Sequence, residues 1–287
     1  MPSIAWLTIA PLLACKSDAP APKPKVTPDA AVTIDAVALP EHASYPDLGA
    51  ALAAIVPATA RVIGVGELHA RVDLANVKQT SLAAFTGALP GLGPRVSDLV
   101  VETWVVDPKC GKTAVKATQK IETAVKRPAA TKNEIALLAD AARAAKIQPH
   151  AMTLACKDYE TIAPAKGEPD PVAMLTLTTK ELSRVATSAL AFRDKQAGSR
   201  PWIVIYGGAL HNDLYPAAGV AEWSYATGLD AATKGRYIEL DLIVPELAEA
   251  AETAKQEPWF PLVAGATQVR VWKRGDRSFV VILPRGA

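Results

Sequence analysis

An α/β fold with a largely parallel sheet flanked by helices is what this 287-residue sequence predicts. Three observations lead there. From about residue 45 onward, short apolar runs alternate with stretches of helical spacing, the pattern of a parallel sheet covered on both faces. Half the residues are hydrophobic, enough for a sizeable core in one domain. Near the carboxyl terminus, two runs alternate in period two around Gly275 and Asp276, the mark of an antiparallel hairpin at the sheet edge.

In chain order, a helix is expected over Tyr45 to Ile55 and a strand over Arg61 to Gly66. A helix follows over Val72 to Ala88, with Pro90 to Pro94 as a break. Next come a strand over Asp98 to Thr103 and helices over Lys112 to Val125 and Lys132 to Ala145. Ile147 to Leu154 reads as a strand, although Pro149 weakens that reading. A long helix over Pro171 to Gln196 precedes a strand over Pro201 to Tyr206. Tyr237 to Val244 is a further strand, and Pro245 to Ala254 a helix. The hairpin pairs Val269–Trp272 with Phe279–Ile282. Residues 46–287 are thus expected to form one α/β domain.

The amino-terminal segment reads differently. Ile4 to Ala14 is apolar but too short to span a bilayer. It ends in Leu12, Leu13, Ala14 and Cys15, which resemble a bacterial lipoprotein signal box, although no Lys or Arg precedes the apolar run. Residues 1–15 are accordingly expected to be a lipoprotein signal peptide, with Cys15 lipidated. Residues 16–45, rich in Pro, Ala, Asp and Lys, are expected to be a tether too poor in apolar surface to fold. This reading places the protein in the cell envelope, at the outer membrane or in the periplasm of a Gram-negative bacterium, held to the membrane by its lipid. The other two of the three cysteines, Cys110 and Cys156, suit a disulfide in an exported chain; free or metal-binding thiols are the alternative. The net charge of +2 and the absence of a basic stripe with interleaved aromatics speak against a nucleic-acid partner.

Two tetrads locate the expected site. Gly66, Glu67, Leu68 and His69 follow one apolar run; Gly208, Ala209, Leu210 and His211 follow another. A third run, Leu99 to Val101, ends in Glu102. Parallel sheets place their sites beyond the carboxyl ends of the strands, so these residues are expected to meet. Two imidazoles and a carboxylate suit a divalent metal with an open position for water. His69 and His211 are the expected ligands. Glu67 and Glu102 are the expected catalytic carboxylates, and which one binds metal and which acts as base stays open. Arg71 is a candidate for an anionic substrate group, Asp213 for orienting an imidazole, and Tyr206 for donating a proton. The substrate would be a small molecule or a peptide. The structural alternatives are helix capping by the two glutamates and surface roles for Arg71 and Asp213.

Taken in order, these motifs resemble the superfamily that joins erythromycin esterases, ChaN-like haem-binding lipoproteins and TraB/Tiki proteins. The resemblance spans roughly residues 58–245, and the Gly-Glu-x-His form is nearest the ChaN-like branch. Resemblance to Tiki-like metalloproteases implies metal-serving roles for His69, His211 and Glu102. Resemblance to the esterases implies hydrolysis by Glu67 and His69. Resemblance to ChaN-like lipoproteins implies haem or iron binding without catalysis, but Asn76 and Gln79 stand where that branch would carry a further histidine.

Overall fold

The computed structural model describes residues 39–73 and 77–286. The signal peptide, Cys15, nearly all of the tether, and Asn76 lie outside the described residues. Eight strands form one sheet: β1 (Ala43–Tyr45), β2 (Val62–Glu67), β3 (Val96–Trp104), β4 (Gln148–Met152), β5 (Trp202–Gly208), β6 (Tyr237–Ile243), β7 (Val269–Gly275) and β8 (Ser278–Ile282). Their order is β1-β7-β8-β6-β2-β5-β3-β4. The run from β8 to β4 is parallel throughout, and β7 is antiparallel to both β8 and β1. The expected architecture is therefore present, with one addition. Ala43–Tyr45, read as the end of the tether, pairs with β7 and covers the hairpin's outer edge.

Helices cover both faces. On one face, α1 (Leu48–Ile55), α2 (Ser81–Leu92) and α4 (Thr131–Ala144) bury Leu52, Phe85, Leu89 and Leu138 against Val65, Val101, Val204 and Leu240. On the other, α6 (Pro171–Arg193) and α8 (Ala226–Ala232) bury Leu182, Leu190 and Leu229 against Val62, Val100, Ile203 and Ile205. Neighbouring strand residues point to opposite faces, so one central strand feeds both cores. Three more helices complete the set: α3 (Gly111–Val125), α5 (Cys156–Ile162) and α9 (Pro245–Ala250). A single turn, α7 (Ala209–Asn212), follows β5 directly. No helix among the described residues is long and apolar enough to cross a membrane.

Several boundaries differ from the sequence reading, each for a physical reason. The helix expected from Val72 begins at Ser81, because the Thr80 hydroxyl accepts the Ala83 N–H at 3.0 Å and caps it there. It then runs through Pro90. That proline lies in the last turn, and the Gly93 N–H closes the helix onto the Leu89 and Pro90 carbonyls. Pro149 is accommodated because β4 is an edge strand. Cys156 opens α5 rather than lying in a loop, and it forms the expected disulfide with Cys110.

The topology creates a crevice. From β2 the chain passes through α2 to β3, on one side of β5; from β5 it passes through α7 and α8 to β6, on the other side of β2. Adjacent strands whose connections depart in opposite directions leave an opening outside their carboxyl ends.

The far end of the sheet is fastened by charge. Asp98, 1% exposed, accepts from Arg193 Nε at 2.7 Å and lies 2.8 Å from His150 Nε2. Burial alone would push its carboxyl up, but hydrogen bonds from His150, Arg193 and Ser97 outweigh burial and bring it down to about 2. An unfolded Asp titrates near ~4, so this contribution is present above about pH 4 and is lost as pH falls toward 2. Asp98→Asn is expected to cost roughly 2 kcal/mol at neutral pH. The gap to the parent should close across that acid window, which urea denaturation at a series of pH values would measure.

Candidate functional site

The crevice holds most of the expected residues. Glu67 ends β2 beside Gly208, which ends β5, and Val101 of β3 pairs with Tyr206 of β5. Val65 and Tyr206 face α2, and so does Glu67, two residues on from Val65. The Tyr206 hydroxyl donates to Glu67 Oε2 at 2.5 Å. Burial and the Glu67 charge push this phenol well above its usual range, so it stays protonated and donates. The Phe85 ring packs on Tyr206 at 5.2 Å and holds it. Beyond the strand, His69 Nδ1 lies 2.8 Å from Glu67 Oε1. A relay thus runs from Tyr206 through Glu67 to His69.

Glu102 reaches the same place from the opposite face. One residue past Val101, it points to the α6 side, where Gly207 makes room for it. Its Oε2 accepts the Gly208 N–H at 2.6 Å, and its Oε1 lies 3.6 Å from His69 Nε2. Burial would raise the Glu102 carboxyl. The His69, His211 and Arg127 charges, with the His69 contact, outweigh it and hold the carboxyl well below the usual carboxylate range.

The two tetrads interlock. A Cβ at Gly208 would lie 2.8 Å from His69 Nε2, and a Cβ at Gly66 would lie 2.7 Å from Ala209 Cα. Each tetrad's first glycine therefore makes room for the other tetrad.

His211 stands on α7 and is 3% exposed. Its Nδ1 lies 3.0 Å from the Trp223 carbonyl and 2.8 Å from Thr179 Oγ1. A carbonyl only accepts, so Nδ1 carries the proton and Nε2 keeps its lone pair. Burial lowers the His211 pKa, and Glu102 and the Trp223 carbonyl offset this only in part.

Two sequence expectations are placed differently. Asp213 does not orient His211. It pairs with Arg274 Nη1 at 2.8 Å and accepts the Tyr215 N–H, while Thr179 and Trp223 hold the imidazole. Arg71 pairs with Asp73 at the rim, and Arg127 takes the cationic place in the site. Arg127 Nη2 lies 2.7 Å from His69 Nε2 and 3.4 Å from Glu102 Oε1. Arg127 sits in a loop between two helices, so no strand-end signal marked it. Thr179 carried a faint one, as a polar residue on the buried stripe of α6.

With Arg127 in this position, the side chains leave a divalent cation little to bind. Among the described residues, no three His, Cys, Asp or Glu side chains converge to hold a metal. Both ring nitrogens of His69 are engaged, one by Glu67 and one by a guanidinium whose charge would repel the ion. In the same position of Arg127, an axial haem ligand would find His211 buried and both nitrogens of His69 engaged.

His69 itself is poised between opposed influences. Desolvation and the Arg127 charge lower its pKa; the Glu102 charge and its contacts with Glu102 and Glu67 outweigh them, and the pKa is raised above the ordinary 6.5.

No family model matches the chain, and no curated protein matches it. Among solved structures, the type III effector HopBA1 is similar at a TM-score of 0.43 and 14% identity, covering 85% of this chain and 97% of that one.

The glycines provide a direct check. Gly208→Ala is expected to displace His69, with a stability loss of about 1 kcal/mol or less, because the displaced group is a side-chain end. Gly64→Ala drives its methyl into the Tyr237 hydroxyl and Asn212 Cβ, so the expected loss is larger, roughly 1–3 kcal/mol. Nitrogen-15 spectra of the His69 ring together with denaturation midpoints distinguish the two effects.

Proposed function

We propose that this chain is an exported, lipid-anchored hydrolase whose general base is His69 and which needs no metal for its chemistry. The observation that carries this reading is the hydrogen-bonded relay from Tyr206 through Glu67 to His69, set in the crevice of a parallel sheet. Glu67 accepts from Nδ1–H, which leaves Nε2 as the basic nitrogen. Nε2 takes a proton from water as the water oxygen bonds to the substrate's carbonyl carbon. The tetrahedral centre then collapses, the bond to the leaving atom (oxygen in an ester, nitrogen in a peptide) breaks, and the imidazolium returns the proton to that atom. Glu67 stabilises the imidazolium in between, and Tyr206 keeps Glu67 aimed at it. Glu102, anchored by the Gly208 N–H, borders the Nε2 side and holds the ring in the crevice. The substrate class is a small ester or a peptide.

A neutral His69 is the active form, so the rate should rise with pH through a midpoint above 6.5. His69→Ala is expected to lower kcat by about 10²–10⁴. Glu67→Gln removes a negative charge beside the ring, so it should lower kcat and shift the pH midpoint downward. A panel of aryl esters and peptides with purified protein tests this. Full activity in His69→Ala, or loss of turnover on chelation with recovery on metal addition, would overturn it. The anchor is tested separately: Cys15→Ala should move the protein from the membrane to the soluble fraction of cells expressing it.

A further inference from the structure

The same geometry contains an obstacle that points to the substrate. A guanidinium only donates hydrogen bonds, so at 2.7 Å it consumes the Nε2 lone pair that a base requires. As it stands, His69 is capped. We infer that the substrate carries an oxyanion, a carboxylate or a phosphate, which draws Arg127 off His69 and thereby frees the base only when substrate is present. This inference rests on His69 being the base.

Four observations support it. First, Arg127 is held by weak partners. One nitrogen, Nη2, makes both contacts, one to an imidazole and the other a long 3.4 Å contact to Glu102. Among the described residues, no hydrogen bond engages its Nε or Nη1, so the edge suited to bidentate anion binding remains available. Second, Glu102 cannot follow the guanidinium, because its other oxygen is bound to the Gly208 N–H. Third, Arg127 is 25% exposed and stands behind a basic rim. Arg71 and Lys126 share the single carboxylate of Asp73, which leaves an excess of positive charge at the mouth. Fourth, the rim is stitched to the Arg127 loop. The Val72 N–H donates to the Lys126 carbonyl at 3.0 Å, and Lys126 takes the left-handed conformation that ends α3. An oxyanion arriving at this rim finds Arg127 and His69 both partly exposed and side by side. It also offers two charged acceptors in place of one neutral nitrogen and one long carboxylate contact, and charge-assisted bonds are roughly twice as strong as neutral ones.

A purely structural Arg127, fixed to Glu102, would behave differently, and the two roles separate by experiment. Inorganic phosphate and acetate are titrated in turn into the whole protein at fixed pH, and the His69 ring nitrogens are followed by nitrogen-15 NMR. The groups facing that ring are Glu67, Glu102, Arg127 and His211. Either anion should shift the Nε2 resonance toward that of an uncapped nitrogen. Arg127→Gln should show the uncapped resonance from the outset and no response; Arg127→Lys should bind the anion more weakly. Which anion saturates at the lower concentration tells a phosphate substrate from a carboxylate one. No Nε2 shift with either anion, or the same shift in Arg127→Gln, overturns the inference. In parallel, a 4-nitrophenyl ester bearing a free carboxylate is compared with its neutral counterpart. The charged ester should be favoured about tenfold or more in kcat/KM, and Arg127→Gln should erase that preference. Hydrolysis of both esters at equal rates leaves the hydrolase reading standing and removes the anion. An anion-dependent Nε2 shift without hydrolysis of any ester keeps the binding site and removes the hydrolase.

Discussion

The close approach of β2 and β5 at their carboxyl ends is the constraint on which the rest of the site depends. Gly66 and Gly208 lie at that end, and each occupies a position where a side chain would strike the other tetrad. Because the strands meet there without side chains between them, His69 can lie over the end of β5 and the Gly208 N–H can reach Glu102. The helix packing on both faces serves this meeting. Phe85 from one face steadies Tyr206, and Thr179 of α6 from the other steadies His211. Two cores that never touch one another are thus both required to bring one imidazole between two carboxylates.

The electrostatics of the sheet edge concentrate charge where the relay needs it. Three further acids lie close by on or near β6: Asp213, Glu239 and Asp241. Burial and repulsion by Asp213 push Glu239 up to about 7, despite Arg274. Desolvation and the charges of Glu239 and Asp213 push Asp241 well above the carboxylate range. Glu102 goes the other way, because cations and a backbone N–H face it. The acids of β6 therefore give up negative charge, whereas Glu102 keeps its charge beside His69. That contrast follows from partners rather than from depth, since Glu239 and Glu102 are both largely enclosed.

How far the sequence could be read follows the same division between local and long-range causes. Strand ends and tetrads were legible because a continuous apolar run ending in glycine is a local signal that β2 and β5 carry, and β3 carries the apolar run with Glu102 at its end. Parallel pairing then brings Glu67, His69, Glu102 and His211 to one edge whatever the details. The disulfide was legible from the cysteine count together with the expectation of export. The start of α2 was not, because Val72 to Gln79 has acceptable helical spacing and only the Thr80 cap decides against it. Arg127 was invisible: it owes its place to the Val72–Lys126 hydrogen bond, a contact between loops more than fifty residues apart. Asp213 was misassigned because proximity in sequence to His211 counted for more than Arg274, which comes from the far side of the hairpin.

The mounting of Arg127 explains how it can move while the rest stays still. At its amino end α3 is covalently pinned, since Cys110 immediately precedes it and is bonded to Cys156 at the start of α5. Ala114, Ala117 and Ile121 bury its length against Leu154, Tyr159 and Ile162. Its carboxyl end is held more lightly: Val125 is only partly buried against the same cluster, and beyond it the chain turns at Lys126, held by a backbone hydrogen bond to Val72 and the Asp73 ion pair. A guanidinium on such a mounting can swing away from His69 by side-chain rotation, at the loss of two contacts from a single nitrogen and with no disturbance of either core. His69 is tied differently: Glu67 holds the ring at Nδ1, and Gly208 borders it on the other side. That Glu67 contact remains when the guanidinium leaves, so the base keeps its place while the cation moves, which is the division of labour that gating by an arriving anion requires.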